Sequence, residues 1–205
     1  MGSFDFEHPS TIDPERLVVT PFKLETKGVK DFDCGSKPLN DFLSTVEVEK
    51  YERLKLGRTY IVFYEGELAG YFTISSGEIR ASYVRANKRT RERRFIVEKI
   101  PGLKIGRLAV AVRFQNKGIG RALVAIIAGI ARRMGAHVGM RVLIVQSKPE
   151  SVRFYQRMGF VQVTNAKEKR RIHRTFFLDV YSLGPAGEAA PLDGIEIDPL
   201  PVKPT

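Results

Sequence analysis

Between residues 103 and 135 a strand, a glycine turn and a long helix follow one another, and this junction constrains the fold more than any other segment. LKIGRLAVAV (103–112) reads as a strand, and RFQNKGIGRALV (113–124) carries the turn directly after it. Behind the turn Ile119, Leu123, Ile126, Ile127, Ile130 and Met134 recur at helical spacing, and Gly135 stops the run. VGMRVLIVQ (138–146) is β-branched and apolar on both faces, as a central parallel strand should be.

The flanking segments fit around this unit. RLVVTPFKL (16–24) reads as a first strand. In the stretch after it, Leu39, Phe42, Leu43, Val46 and Leu54 lie on one helical face, with Pro38 in the first turn and Gly57 past the end. One helix, broken at most once, accounts for them. RTYIVFY and LAGYFTISSGEIR flank Glu65-Gly66-Glu67 as an antiparallel hairpin. In SKPESVRFYQRMGF, Ser147 and Glu150 have capping-box spacing and Gly159 is a helix stop. FVQVT and RTFFLDVYSL supply two last strands. The expected fold is α/β, a mixed sheet in the order β-α-β-β-β-α-β-α-β-β with helices on both faces.

Length and ends bound the organisation. At 205 residues the chain is one domain over residues 17–183, with an N-terminal extension (1–16) and a flexible tail (184–205) rich in Pro, Gly and Ala. MGSFDFEHPS lacks the basic start and apolar centre of a signal peptide, and no apolar run reaches the ~18–20 residues of a membrane span. A soluble, cytoplasmic protein without a membrane partner is expected. Cys34 is the only cysteine, and His8, His137 and His173 have no ligand spacing, so no metal is expected.

Charge is unevenly placed. The net charge is +11, yet residues 1–16 and 184–205 each carry four acids against one base, which leaves +17 on residues 17–183. Such an excess steers polyanions toward a protein, although a solvated basic surface also satisfies it.

The glycine turn excludes two of three anion-binding motifs. A P-loop closes on Gly-Lys-Ser/Thr, whereas Gly118-Ile119-Gly120-Arg121 stands here. A dinucleotide fingerprint needs a small residue where Leu123 stands, and an acid about twenty residues past Gly120, where Met140 stands. What remains is a run of N–H groups feeding a helix head, suited to a pyrophosphate, with Lys117 and Arg121 at its rim. On the residues alone, a glycine turn that merely precedes a core helix stays equally open.

A resemblance decides between them. Gln115-Asn116-Lys117-Gly118-Ile119-Gly120, after the strand Leu108-Ala109-Val110 and before Phe154-Tyr155-Gln156-Arg157-Met158-Gly159-Phe160, resembles the two best-known motifs of the GNAT acyl-CoA N-acyltransferases. The likeness covers about residues 17–183. It implies a GNAT fold with a splayed central strand pair and acetyl-CoA as acetyl-donor cosubstrate. Leu108, Ala109, Val110, Gln115, Asn116, Lys117, Gly118, Ile119, Gly120 and Arg121 would bind that cosubstrate, with Tyr155 as general acid toward the departing thiolate. Lys148 departs from the asparagine that many relatives carry there.

Phe32-Asp33-Cys34-Gly35, Leu39-Asn40, Arg58-Thr59-Tyr60, Ala69-Gly70-Tyr71-Phe72-Thr73 and Gly106-Arg107-Leu108-Ala109-Val110 narrow the likeness to the GNAT toxins of toxin–antitoxin systems. These acetylate the amino acid on charged tRNA. The likeness therefore implies tRNA and a small DNA-binding antitoxin as partners, and a homodimer. An α-amine with a pKa near ~8 needs little help from a base; Glu78, Glu92 and Glu98 are candidates by region only. Two basic segments, Arg85/Lys88/Arg89/Arg91/Arg93/Arg94 and Lys167/Lys169/Arg170/Arg171/Arg174, would lie near the acceptor mouth and contact RNA phosphates. No histidine beside Cys34 in sequence activates it as a nucleophile. Two alternatives stay open: acetylation of a protein N-terminus, lysine or small amine, and a non-catalytic RNA- or protein-binding module on the same scaffold.

Overall fold

Alternating apolar residues lay down a single seven-stranded sheet, ordered β1-β2-β3-β4-β5-β7-β6. The computed structural model describes residues 12–85, 95–165, 168 and 170–182. The strands are β1 (Leu17–Pro21), β2 (Arg58–Tyr64), β3 (Glu67–Arg80), β4 (Lys99–Val110), β5 (Val142–Ser147), β6 (Val161–Gln162) and β7 (Arg174–Asp179). The helices are α1 (Lys37–Ser44), α2 (Val46–Arg53), α3 (Ala81–Arg85), α4 (Ile119–Gly135) and α5 (Val152–Arg157). The mixed α/β order expected from sequence is the order observed, with α3 added after β3. Residues 1–11 and 183–205, on which most of the expected extension and tail fall, lie outside the described residues; Ile12 packs into the core.

Glu65 and Gly66 both take positive φ, 52° and 82°, the pairing that closes a tight hairpin between β2 and β3. All neighbouring strands run antiparallel except β4 and β5, which the α4 crossover makes parallel. α4 and α5 cover one face of the sheet, packing Ile119, Leu123 and Ile127 against Phe72, Leu103, Leu143 and Phe176. α1 and α2 cover part of the opposite face, where Phe42, Leu43 and Val48 meet Ile61, Tyr71 and Ala109.

The helix expected between β1 and β2 is broken at Thr45, which is extended (φ −110°, ψ 179°) and accepts a hydrogen bond from Glu47 N–H at 3.2 Å. A short hydroxyl side chain that binds nearby backbone competes with helix continuation. The break resets the helical phase. Phe42 and Leu43 stay buried, but Val46 and Leu54 are 72% and 50% exposed, and Val48 takes the core position instead. The capping box read at Ser147 is also absent. Ser147 ends β5 and donates to its neighbour's carbonyl at Lys148, and a 3-10 turn over Pro149–Ser151 precedes α5.

One irregularity prepares the site. β4 pairs with β5 only from Gly102 to Ile105, yet it follows β3 as far as Val110. From Gly106 onward, one edge of β4 has no strand beside it. Opposite Thr73 and Ile74 the register slips by one residue, a bulge that accommodates Gly106 and bends the strand away from β5.

Candidate active site

The open edge of β4 runs straight into the glycine turn. Asn116 (φ 60°) and Gly118 (φ 99°) adopt left-handed backbone, and Gly118 caps α4 without any side-chain hydrogen bond. The amides of the first helical turn, which have no partner within the helix, are therefore left for a ligand, and the helix dipole favours an anion there. Gly120 serves packing: a Cβ on it would stand 3.2 Å from the Phe154 ring. Only a bare backbone lets α5 close this tightly over the turn.

A cavity of about 480 Å³ lies along this path. Leu108, Val110, Phe114, Phe154 and Met158 give it apolar walls, Gln115, Asn116, Gly118 and Gly120 a main-chain end, and Arg121 and Arg157 two positive charges against the one acid, Glu150. An elongated ligand with an anionic head and a less polar arm fits that distribution.

The alternation of an antiparallel ladder assigns the strand's role. Ala111 N–H donates to the Ala69 carbonyl at 2.8 Å, so Ala109, two residues earlier, also turns its main chain to β3. Leu108 and Val110 then turn theirs to the gap. Ala109 sits 3% exposed in the α1–α2 core, and Ile119, 1% exposed, sits in the core beneath α4. Neither side chain reaches the cavity. Lys117 is exposed, with its ammonium 5.6 Å from the Phe114 ring centre, and does not line it.

Gln115 has a role its position in the motif does not reveal. Its side-chain amide donates to the carbonyls of Val110 and Cys34, both at 2.9 Å, so both amide hydrogens are committed to protein. It ties the end of β4 to the loop before α1. Asn40 continues the tie, accepting from Cys34 N–H at 3.0 Å and donating to Asp33 at 2.8 Å. The Gly35 amide, then Asn40, hold the Asp33 carboxyl below its usual range. Lys148 joins the same loop from the other side, its ammonium 3.3 Å from the Ser36 hydroxyl. Burial pushes the Cys34 thiol up, away from the thiolate a nucleophile requires.

Tyr155 is 6% exposed and packed edge-on against Phe154 and Phe160, at 5.1 and 5.3 Å between ring centres. It adjoins the lining residue Phe154 without itself being one of the residues that line the cavity. Burial pushes its phenol up to about 12, so it stays protonated at neutral pH. Its hydroxyl has no protein hydrogen-bond partner among the described residues.

Phe114, Ser151, Phe154, Arg157 and Met158 are lining residues that sequence reasoning passed over. The signal was present in part, because positions 151, 154 and 158 lie three and four apart, the spacing that brings side chains together on a helical turn. Of the expected basic segments, Lys88, Arg89, Arg91, Arg93, Arg94, Lys167 and Lys169 lie outside the described residues, as does the side chain of Arg85. Arg170, Arg171 and Arg174 are exposed, with Arg171 paired to Glu168 at 3.2 Å. Among the candidate bases, Glu78 is paired with Lys99 and more than half exposed, Glu98 is exposed, and Glu92 is not among the described residues. Among the described residues, no three His, Cys, Asp or Glu side chains gather as metal ligands, and no helix is long and apolar enough to cross a membrane.

Known proteins share this architecture. A bacterial toxin crystal structure superposes with a TM-score of 0.72 at 20% identity, covering 84% of this chain and 96% of that one. The toxin AtaT, solved in complex with acetyl-methionyl-tRNAfMet, gives 0.68 at 23%, covering 81% and 96%. A tRNA-acetylating toxin of Mycobacterium tuberculosis (strain ATCC 25618 / H37Rv) is 24% identical over 133 residues, 64% of this chain and 77% of its own length. Residues 30–175 match the family model described as an acetyltransferase (GNAT) domain, most of the chain, and the protein belongs to that family.

Proposed function

We propose that this protein transfers an acetyl group from acetyl-CoA to the α-amine of aminoacyl-tRNA. The observation that carries the reading is the continuity of the open β4 edge with the uncapped head of α4. Amides of residues 116–121 take the cosubstrate's pyrophosphate, and Arg121 adds charge. The main chain of Leu108 and the N–H of Val110 pair with the pantetheine arm as a neighbouring strand would; the Val110 carbonyl is already occupied by Gln115.

The amine nitrogen attacks the thioester carbonyl, the carbon–sulfur bond breaks, and the thiolate takes a proton from the Tyr155 hydroxyl. The new amide loses its extra proton to water, and the phenol is restored from solvent. With its pKa pushed up to about 12 by burial, the phenol remains the protonated donor across the range above ~8 in which the amine becomes neutral, until it ionises itself. A carbonyl beside the amine keeps its pKa near ~8, which removes the need for a strong base.

Relatives support the acceptor and the partner. AtaT is solved both with acetyl-methionyl-tRNAfMet and with the C-terminus of its antitoxin AtaR and acetyl-CoA. A small antitoxin and a site of action in the cytoplasm, where charged tRNA resides, follow for this chain. The test is incubation with radiolabelled acetyl-CoA and total charged tRNA. Label in RNA is expected; label confined to protein or small amines overturns the acceptor, and no acetyl-CoA binding by calorimetry overturns the enzyme.

A further inference from the structure

The face of β4 opposite α4 carries a cation that the donor cavity does not use. Arg107 stands where β4 loses β5 as its neighbour. Its guanidinium carbon lies 3.5 Å from the Phe42 ring centre and 5.2 Å from that of Tyr51. Stacking fixes its plane, yet it makes no hydrogen bond or ion pair with any described residue, and it is partly exposed.

Two hydroxyls share its surroundings. Thr73, cross-strand from Arg107, is fully buried and its Oγ1 has no partner among the described residues. A Cβ on Gly106 would lie 2.8 Å from that oxygen and 3.7 Å from the Tyr51 hydroxyl. Because Gly106 has none, a small polar space remains between them. Buried hydroxyls are almost always bonded, so an orphan of this kind marks a place for a water or ligand.

The cavity for the donor is lined from α4 and α5 on one side of the sheet, whereas Arg107 packs on Phe42 of α1 and Tyr51 of α2 on the other. An amine must approach the thioester from where the donor is not, which is the face of α1, α2 and Arg107. We propose that Arg107 is the acceptor anchor, donating to oxygens that flank the amine: the aminoacyl ester and the ribose phosphate next to it. The planar guanidinium fork suits paired oxygens, and the Thr73 and Tyr51 hydroxyls complete the polar floor. This rests on the acetyltransferase reading above and adds the residue that recognises the acceptor.

Steady-state acetylation by Arg107→Gln, Arg107→Lys and Thr73→Val tests it, with charged tRNA and a simple alkylamine as alternative acceptors. Arg107→Gln is expected to raise KM for charged tRNA roughly tenfold to a hundredfold. Arg107→Lys, which keeps the charge and loses the fork, recovers part of that. Acetyl-CoA affinity by calorimetry and alkylamine turnover are expected to stay within about twofold, since an alkylamine offers no oxygen to the anchor. Thr73→Val is expected to raise the charged-tRNA KM about threefold with an unchanged melting temperature, and it carries the test alone should the Arg107 variants unfold early.

Equal losses with both acceptors, a matching loss of acetyl-CoA affinity, or an unchanged KM would overturn the anchor. If wild-type protein binds acetyl-CoA but labels no tRNA, the acceptor class falls. Arg107 is then judged on a free amino acid, whose carboxylate presents the same oxygens. If acetyl-CoA does not bind, the anchor falls with the enzyme.

Discussion

The two sides of β4 are built from different materials. On the α4 side the site is mostly main chain: an uncapped helix head, a left-handed glycine, and a strand edge whose carbonyls and amides face a gap. On the α1–α2 side it is mostly side chain: Arg107 over Phe42, a Thr73 hydroxyl without a partner among the described residues, and Asn40 and Lys148 gathered at one loop. Main-chain recognition tolerates wide change in sequence as long as glycine sits where the backbone demands it. Side-chain recognition does not. A donor shared by many enzymes suits the first, and an acceptor peculiar to one suits the second.

Substitutions on each side should therefore separate the two substrates. Tyr155→Phe is expected to lower kcat roughly a hundredfold to ten-thousandfold while leaving acetyl-CoA affinity nearly unchanged. A tyrosine that only packs would keep both its turnover and its stability, since the hydroxyl has no hydrogen bond among the described residues to lose. In wild type the rate should rise with pH as the amine deprotonates near ~8 and hold through the range below the phenol's ionisation. The folded phenol titrates near about 12 and an unfolded one near ~10. Its contribution to stability is therefore complete below ~10 and lost as pH climbs to about 12, which unfolding monitored by phenolate absorbance would show.

Gly118→Val should weaken acetyl-CoA binding about tenfold to a hundredfold by calorimetry, because a β-branched residue is strained at φ 99° and blocks the amides. A parallel loss in acceptor KM would blur the division between the faces. Val48→Ala is expected to cost about 1–3 kcal/mol in denaturant unfolding, with Val46→Lys close to zero. A single straight helix would reverse that order. Gln115→Glu is expected to cost about 1 kcal/mol, since it places a carboxylate against two carbonyls in an exposed tie. Its sharper readout is a higher acceptor KM.

Much of this architecture was legible in the sequence. Gly118 and Gly120, the helical repeat from Ile119 to Ile130 and the doubly apolar β5 each express a local constraint, so they point to turn, helix and central strand without help from elsewhere. Thr45 was harder, because V-E-V-E-K-Y-E-R continues as helix by composition while one hydroxyl resets the phase. Ser147 misled for a related reason: it has a cap's spacing but ends a strand, and the 3-10 turn at Pro149 starts the helix later. Gln115 was read for its place in a motif, and its amide is spent instead on two carbonyls, one of them 81 residues away.

By itself, the sequence determined the strands and their order, the long helix α4 and the position of the glycine turn before it, because backbone conformation and amphipathic period are properties of neighbouring residues. Tertiary structure alone decided that β4 parts from β5 at Gly106, that Tyr155 packs edge-on against Phe154, and that Arg107 meets two aromatic rings and no acid among the described residues. Those outcomes depend on which distant segments pair and where pairing stops, and no local pattern records the energy of a contact across the sheet.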